Sequence, residues 1–453
     1  MGAGLTYINR RNYTVWLKII VSGLLFFCSG FLQSKAQTTA QIINEIKAIN
    51  SKVTNYTNST GQGMLISNKA MNIFLSNKVS SYLSDNEDLS LYKNYVNINA
   101  AEGMISINHN FHQPVDSDDW VRSFVVAGAR VNIANAYSAK SANRYYDNQL
   151  GFTIQKTWMG KPKTYYIANG DFKKEMDAAR ALMVNTIAQS INKKAEEFEQ
   201  SLNALKQEEV PGQNLTQVKS KLRKTFYASL RADYLQQFFE QQSELLVNTG
   251  NYDLITDNWT SLGVYIPVIP QKFMVSNDVN TQVNKHYNYP LELFVSHTRF
   301  WESPKLGRFF LTFAGKGFVN NAVQSGSLFS ADVTGAQGLD GTNTVTINKG
   351  DRYIGQYKNF ITPLAAGKLV YIPGTSHVGI CFRIEKNWGP YKALNSIIGI
   401  PIVLIDKKGV PAVNFEAQLL LQDMNNSLKN TRLPYNKTAI GLTVGIPFSK
   451  IVY

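Results

Sequence analysis

Few side chains in this sequence have the capacity for chemistry. His109, His112, His286, His297 and His377 are its five histidines, the side chains whose ordinary titration falls near neutrality. His109 and His112 lie three apart. On an extended strand that odd spacing puts them on opposite faces, which does not suit two ligands of one metal. The run Asp116-Ser-Asp-Asp119 would attract calcium, but the rest of a calcium-loop pattern is missing, so it reads as a solvated turn. No P-loop, dinucleotide fingerprint, nucleophile elbow or zinc-protease motif occurs. The expectation is therefore a non-enzymatic protein with no catalytic residue, metal or cofactor. A hydrolase remains the alternative, with His297 or His377 as its base. A second set of residues is more informative: Arg130, Asn132, Gln155, Lys316, Arg383, Glu385, Glu416 and Gln418. Each stands on the polar side of an alternating segment, so the chemistry they offer is ion pairing and the handling of small polar solutes.

The elements that must position them are strands. Near the end of the sequence Thr438, Ile440, Leu442, Val444, Ile446 and Phe448 alternate with Ala439, Gly441, Thr443, Gly445 and Pro447. Val413, Phe415, Ala417, Leu419 and Leu421 alternate with Asn414, Glu416, Gln418 and Gln422, with Leu420 the exception. Val378, Ile380, Phe382 and Ile384 alternate with Gly379, Cys381, Arg383 and Glu385. Period two puts successive side chains on opposite faces of a sheet. The same pattern begins at Met104 and recurs at 125–133, 150–158, 259–268, 289–301, 308–319 and, more weakly, 359–372. About eleven strands result, or twelve with an ambiguous segment around Met64 to Leu75. Even numbers are the rule for bacterial membrane barrels, which favours twelve.

The expected fold is thus mainly β: an antiparallel transmembrane β-barrel of about 12 strands. The polar set lines its lumen. Arg and Glu there either pair in a closed interior or line a narrow channel, and the sequence leaves both open. An alternating sheet would also suit a soluble periplasmic or secreted binding protein. The number and length of the strands argue against it.

Composition agrees. Charged residues are 17% and aromatics 12%, as expected where an apolar outer band is flanked by aromatic girdles. Arg10, Arg11, Lys18 and Lys35 contribute to the formal charge of +14. The excess favours anionic lipid headgroups, and no basic stripe interleaved with aromatics suggests nucleic acid. Residues 1–36 read as a cleaved signal peptide. Arg10, Arg11 and Lys18 form its positive region, Ile19 to Leu32 its apolar core and Ser34-Lys35-Ala36 its cleavage site. Export across the inner membrane to the outer membrane of a Gram-negative bacterium follows. Cys381 is then the remaining cysteine, so no intramolecular disulfide is expected.

Three organisational units are expected: the leader 1–36, a partly helical N-terminal segment 37–95, and a barrel 96–453 interrupted at 171–250. In that interruption Phe172, Met176, Ala179, Met183, Ile187, Ile191, Phe198, Leu202 and Leu205 fall at spacings of three and four. Leu215, Val218, Leu222, Phe226, Leu230, Tyr234 and Phe238 repeat the pattern beyond Pro211-Gly212. Two long amphipathic helices joined by a break make a hairpin. It either packs on the barrel mouth or docks an envelope partner. If the final strand ends in the periplasm, counting strands backwards puts the hairpin on the periplasmic side, with short turns, and the 326–353 loop outside.

The ending Gly441-Leu-Thr-Val-Gly-Ile-Pro-Phe448, closed by Tyr453, resembles the last strand of Bacteroidota outer-membrane barrels, and Ser-Lys-Ala-Gln resembles leaders of that phylum. The resemblance implies outer-membrane lipid as surroundings and insertion by the barrel-assembly machinery. It also implies an assembly signal at Phe448 or Tyr453.

Overall fold

The computed structural model describes residues 38–56, 61–79, 94–99, 104–111, 121–132, 150–167, 170–209, 212, 214–277, 283–323, 325, 328–331, 334–336, 344–346, 352–374, 376–406, 411–427 and 438–447. The expected leader 1–36, His112, the Asp116–Asp119 turn and the assembly positions Phe448 and Tyr453 lie outside them.

Strands β1 (Tyr95–Asn99), β2 (Met104–Asn110), β3 (Ser123–Asn132) and β4 (Leu150–Met159) come first, followed by the short β5 (Lys163–Tyr165). After the helical insert come β6 (Leu254–Pro267), β7 (Gln271–Ser276), β8 (Asn284–Asn288), β9 (Glu292–Ser303) and β10 (Gly307–Asn321). Four short strands follow: β11 (Phe329–Ala331), β12 (Thr334–Ala336), β13 (Thr344–Thr346) and β14 (Arg352–Ile354). The rest are β15 (Asn359–Pro373), β16 (Ile380–Asn387), β17 (Leu394–Ile405), β18 (Pro411–Leu421) and β19 (Thr438–Pro447).

Twelve of them close into an antiparallel barrel, in the order β4-β3-β2-β1-β19-β18-β17-β16-β15-β10-β9-β6 and back to β4. Two pairings far apart in sequence make the closure. β1 meets β19 from Tyr95↔Pro447 to Asn99↔Thr443. β4 meets β6 from Gly151↔Pro267 to Met159↔Trp259, and β5 continues along β6 from Lys163↔Thr256. Closure pairs the two end strands of the sheet with each other, and such pairing is how a strand wall satisfies its backbone without water.

The polarity is inverted relative to a water-soluble domain. Along β4 the exposed side chains are Phe152, Ile154, Lys156 and Trp158, and the buried positions are Gly151, Thr153, Gln155 and Thr157. Strand after strand repeats this: Leu293 and Val295 on β9, Phe382 and Ile384 on β16, Ile398 and Ile400 on β17 and Ile440 and Leu442 on β19 are exposed. Ser296, Thr298, Arg383, Glu416 and Thr443 are buried. A wall with its apolar side out and its polar side in defines an outer-membrane-type β-barrel.

The twelfth strand differs from expectation. The segment around Met64 to Leu75 holds a helix, α2 (Asn68–Val79), and the missing strand is β1. Ser67 caps this helix, its Oγ accepting from Ala70 N–H at 3.4 Å. Apolar and polar residues alike are buried on it, Lys69, Asn72, Phe74, Leu75 and Ser76 among them, so no strand or helix periodicity shows in its sequence. The 326–353 segment also differs from a plain loop, since it carries β11 to β14. With β7 and β8, two of these make a small sheet ordered β11-β14-β7-β8. Phe273, Val275, Val323 and Tyr353 form its core.

Helix α1 (Thr39–Tyr56) opens on a capping box. Thr38 Oγ1 accepts from Gln41 N–H at 3.3 Å and Gln41 Oε1 accepts from Thr38 N–H at 2.9 Å. The insert is a hairpin of α3 (Gly170–Ala204) and α4 (Leu215–Thr249). The described chain divides into two compact units: the residues up to Glu45 with Ala188–Tyr234, and Ile46–Ile187 with Leu235–Tyr453. In the first, Arg231 donates to Glu45 at 2.5 and 2.8 Å, Arg223 donates to Glu199 at 2.5 and 2.8 Å, and Phe198 stacks on Phe226 with centroids 3.8 Å apart. In the second, the root of the hairpin is clamped. Asp253 N–H donates to Tyr165 O at 2.8 Å beside the β5–β6 pairing. The fully buried Arg180 bonds Asp177 and donates to Leu65 O at 3.0 Å, and Ser67 N–H donates to Gln242 Oε1 at 2.9 Å. The antiparallel order puts the ends of β5 and β6 from which the hairpin departs and returns, the turn 304–306 and the connection 374–379 at one end of the barrel. The small sheet belongs to the connections of the other end.

Candidate functional site in the lumen

The inner wall separates into a polar region and an apolar layer. Toward the long-loop end, one carboxylate serves two cations. Arg130 of β3 holds Glu292 of β9 with both terminal nitrogens, at 2.8 and 3.2 Å, and Lys316 of β10 joins at 2.9 Å. Strands β4 and β6 stand between β3 and β9, so the guanidinium crosses them. It lies 3.7 Å from the Tyr265 ring centroid. Space for that ring comes from Gly151, where a Cβ would fall 2.3 Å from it. Gly263 likewise accommodates the Phe294 ring, 2.2 Å from where its Cβ would be. The side chains of Arg130, Glu292 and Lys316 are 13–20% exposed. The arrangement is a positively biased, partly open polar cluster that can hold an anion or a carboxylate-bearing solute.

Along the wall from Lys316, on β16 two strands away, Arg383 pairs with Glu385 two residues on, and Lys368 of β15 stands directly opposite Arg383. Gln418 donates to Glu416 Oε1 at 3.1 Å. Between these clusters several polar side chains pair with one another. Gln155 donates to Thr157 at 3.3 Å and Thr157 meets Ser261 at 2.8 Å. Thr298 meets Thr312 at 2.9 Å and Asn320 donates to Thr362 at 3.1 Å. Buried polar groups of a membrane lumen need such partners, because an unmet donor or acceptor costs roughly 1–3 kcal/mol.

The short-turn end is different. Phe124, Ile255, Trp259, Phe300, Phe310 and Ile372 point inward from five strands, and none is more than 1% exposed. Phe300 and Phe310 have ring centroids 4.9 Å apart. Beside this layer lies a buried carboxylate hub. Glu302 of β9 accepts from Lys78 of α2 at 2.8 Å and from Tyr252 Oη at 3.1 Å, with Arg308 Nε at 3.8 Å. Lys78 also lies over the Phe74 ring, whose edge meets Tyr252. Helix α2 is therefore tied to the inner wall through its last turn. Burial, with Glu302 beside it, holds the Tyr252 phenol neutral by raising its pKa above the ordinary tyrosine range.

Of the residues singled out by parity, Arg130, Gln155, Lys316, Arg383, Glu385, Glu416 and Gln418 face inward. Asn132 ends β3, and its side chain lies outside the described residues. The structure joins Arg130 to Lys316 through Glu292 and joins Arg383 to Glu385, two partnerships alternation cannot specify. Sequence reasoning missed Glu292, Tyr265, Glu302 and Lys368. The signal for the first and third was present, since Glu292, Ser296, Thr298 and Glu302 alternate with Leu293, Val295, His297 and Trp301. Lys78 carried no such signal, because its role comes from a helix.

The histidines stand apart. His297 faces outward with its Nδ1 2.9 Å from Thr260 Oγ1, and His109 packs against Phe111 at 4.4 Å. His377 is exposed between β15 and β16, and its carbonyl accepts from Val403 N–H at 2.7 Å. His286 stacks on Tyr357 in the small sheet, with centroids 4.3 Å apart, and burial pushes the Tyr357 phenol up to about 12. Among the described residues no group of His, Cys, Asp and Glu is placed to hold a metal ion.

The fold and its lumen define the class: a closed twelve-stranded outer-membrane-type barrel with an inserted helical hairpin. Neither protein-family models nor curated proteins gave a match. Among solved structures the chain is similar to OmpT (in-vitro folded), an outer membrane protein of Vibrio cholerae, at 6% identity. The match covers 79% of this chain and 95% of that chain, with a TM-score of 0.24.

Proposed function

We propose that this protein is a closed barrel of the outer membrane of a Gram-negative bacterium and acts as an envelope scaffold. It carries the α3–α4 hairpin on the periplasmic side as the docking element for an envelope partner. The observation that carries this reading is the inward apolar layer at the short-turn end, whose six side chains are at most 1% exposed. Such a layer leaves no water-filled path for an ion, and a pore needs one. The hairpin's place supports it, since it interrupts the wall between neighbouring strands at the short-turn end. Delivery by a cleaved signal peptide and the barrel-assembly machinery belongs to the same proposal.

The test is planar-bilayer recording of the full chain, with the gel shift on boiling as the control for a folded barrel. A scaffold gives a shifted band and no current steps. Reproducible steps in the wild type would remove the closed-barrel reading. They would favour a narrow channel instead, whose selectivity then responds to Lys316→Gln or Arg383→Gln. The cluster of Arg130, Glu292 and Lys316 is what recommends that second reading, because it is charged and partly exposed.

A further inference from the structure

The outer wall has a charge asymmetry that the lumen does not explain. The carboxylates carried by the barrel strands are Asp257, Glu292, Glu302, Glu385 and Glu416, and all stand at inward positions. Outward positions hold cations instead. Lys156 on β4 and Arg299 on β9 are exposed, with the imidazole of His297 on β9 close by, among apolar neighbours such as Ile154, Leu262, Val295 and Phe313. The three belong to adjoining strands, since β6 pairs with β4 on one side and with β9 on the other.

Cross-strand register draws them into one patch. Trp158 stands opposite Thr260, which stands opposite His297. Asn258 stands opposite Arg299. One step nearer the short-turn rim, Lys163, Thr256, Trp301, Phe309 and Tyr371 follow one another across five strands. This last row is cationic and aromatic, the composition that meets headgroups at a bilayer boundary.

The two long cations lean the same way. The Lys156 amine lies over Trp158, 5.8 Å from its ring centroid, and the Arg299 guanidinium lies over Trp301 at 5.3 Å. β4 and β9 both run toward the short-turn rim, so each side chain bends from its own position toward that rim. A cation anchored in an apolar wall does this to bring its charge to the headgroups. Arg122, Lys161 and Lys305 are exposed at the same rim. Among the described residues there, the exposed acidic groups include Asp253 just before β6 and Asp406 just after β17, five strands away along the wall. An outward Arg or Lys costs roughly 2–4 kcal/mol at the bilayer midplane and about 0–1 kcal/mol near the interface, so a wall keeps two of them where their charge reaches the headgroups.

We propose that the outer wall formed by β4, β6 and β9 binds the phosphate headgroup of an anionic phospholipid at its short-turn rim. Lys156, Arg299 and Lys163 supply the charge, Thr260, Asn258 and His297 the hydrogen bonds, and Trp158 and Trp301 the flat surfaces beside the acyl chains. The proposal rests on the membrane-barrel reading above. The occupant is a lipid rather than a free anion because the cations rise from an apolar wall continuous with the belt.

Native mass spectrometry of the detergent-solubilised full chain tests it, with phosphatidylglycerol and phosphatidylethanolamine of identical acyl chains as probes. The wild type should retain phosphatidylglycerol preferentially. Lys156→Gln and Arg299→Gln should each weaken that preference about fivefold, and the double variant should retain both lipids equally. The gel shift on boiling checks that each variant is a folded barrel. An equal retention of both lipids by the wild type overturns the proposal, as does a preference unchanged in the folded double variant. So does a homodimer that buries the patch and excludes lipid. A protein with no gel shift and no retained lipid of either kind would instead refute the membrane reading on which the patch depends.

Discussion

Glu302 shows how much one inward residue can govern. Its carboxylate is 2% exposed and faces Lys78, Tyr252 and Arg308. Glu302→Gln keeps the size and removes the charge, so two cations are left beside a neutral amide in a desolvated place. Breaking such a buried set costs about 3 kcal/mol. The urea midpoint of the folded barrel should fall accordingly, and an unchanged midpoint would show that the hub adds nothing to stability. Gly263 acts through space rather than charge. A methyl group there would meet the Phe294 ring at 2.2 Å. Gly263→Ala should therefore destabilise by roughly 1–3 kcal/mol through overpacking, measured by the same unfolding curve. At this scale the sequence was informative about direction and silent about partners. Alternation puts Arg130 and Lys316 on the inner face, but Glu292 joins them across strands far apart in the chain.

Among the elements, α2 and the hairpin respond to different disturbances. Phe74 is fully buried at the heart of α2, so Phe74→Ala removes packing on every side and should cost about 3–5 kcal/mol. Limited proteolysis would then cut within 61–79 in the variant and spare the wild type. The hairpin carries a titratable pair. The hydrogen bond from Arg223, opposed by burial and helped by the guanidinium charge, holds the Glu199 carboxyl below its ordinary value of 4.5. A carboxylate lowered in the folded state stabilises above its unfolded pKa, and that contribution is lost as pH falls through the folded value. Hydrogen-exchange protection of residues 195–230, corrected for intrinsic rates, should be constant above about pH 5 and decline in more acid solution. Arg223→Gln should abolish that decline. If wild type and variant decline alike, the pair does not govern the hairpin's acid response. Both hairpin helices were legible from their three-and-four spacing. Helix α2 was not, because a segment buried on all sides carries no periodicity.

For the whole molecule, closure is the governing fact. The pairings β1–β19 and β4–β6 leave no free edge on the wall, and unfolding must break the ring as a unit. The barrel should therefore resist detergent at room temperature and change its gel mobility only on boiling. Deleting the segment that contains β1 should remove that resistance while leaving the other strand sequences intact. A shift preserved in the deletion would show that the ring does not depend on that closure.

The sequence by itself determined which residues form strands, which side of each strand is polar, and where the chain turns helical. These are local consequences of side-chain spacing: two residues per repeat on a strand and three or four on a helix. It also indicated an even strand number, although the twelfth strand it pointed to was a helix. The short run Tyr95-Val-Asn-Ile-Asn99 is too brief to announce itself. Only the tertiary structure decided which cation meets which carboxylate, and that Phe124, Trp259, Phe300 and Phe310 all fall in one buried apolar layer. It also decided that Lys78 reaches the inner wall from α2, and that Lys156 and Arg299 lean toward one rim. These are relations between strands whose register and neighbours are set by closing the ring, and the spacing of residues along one strand carries no information about them.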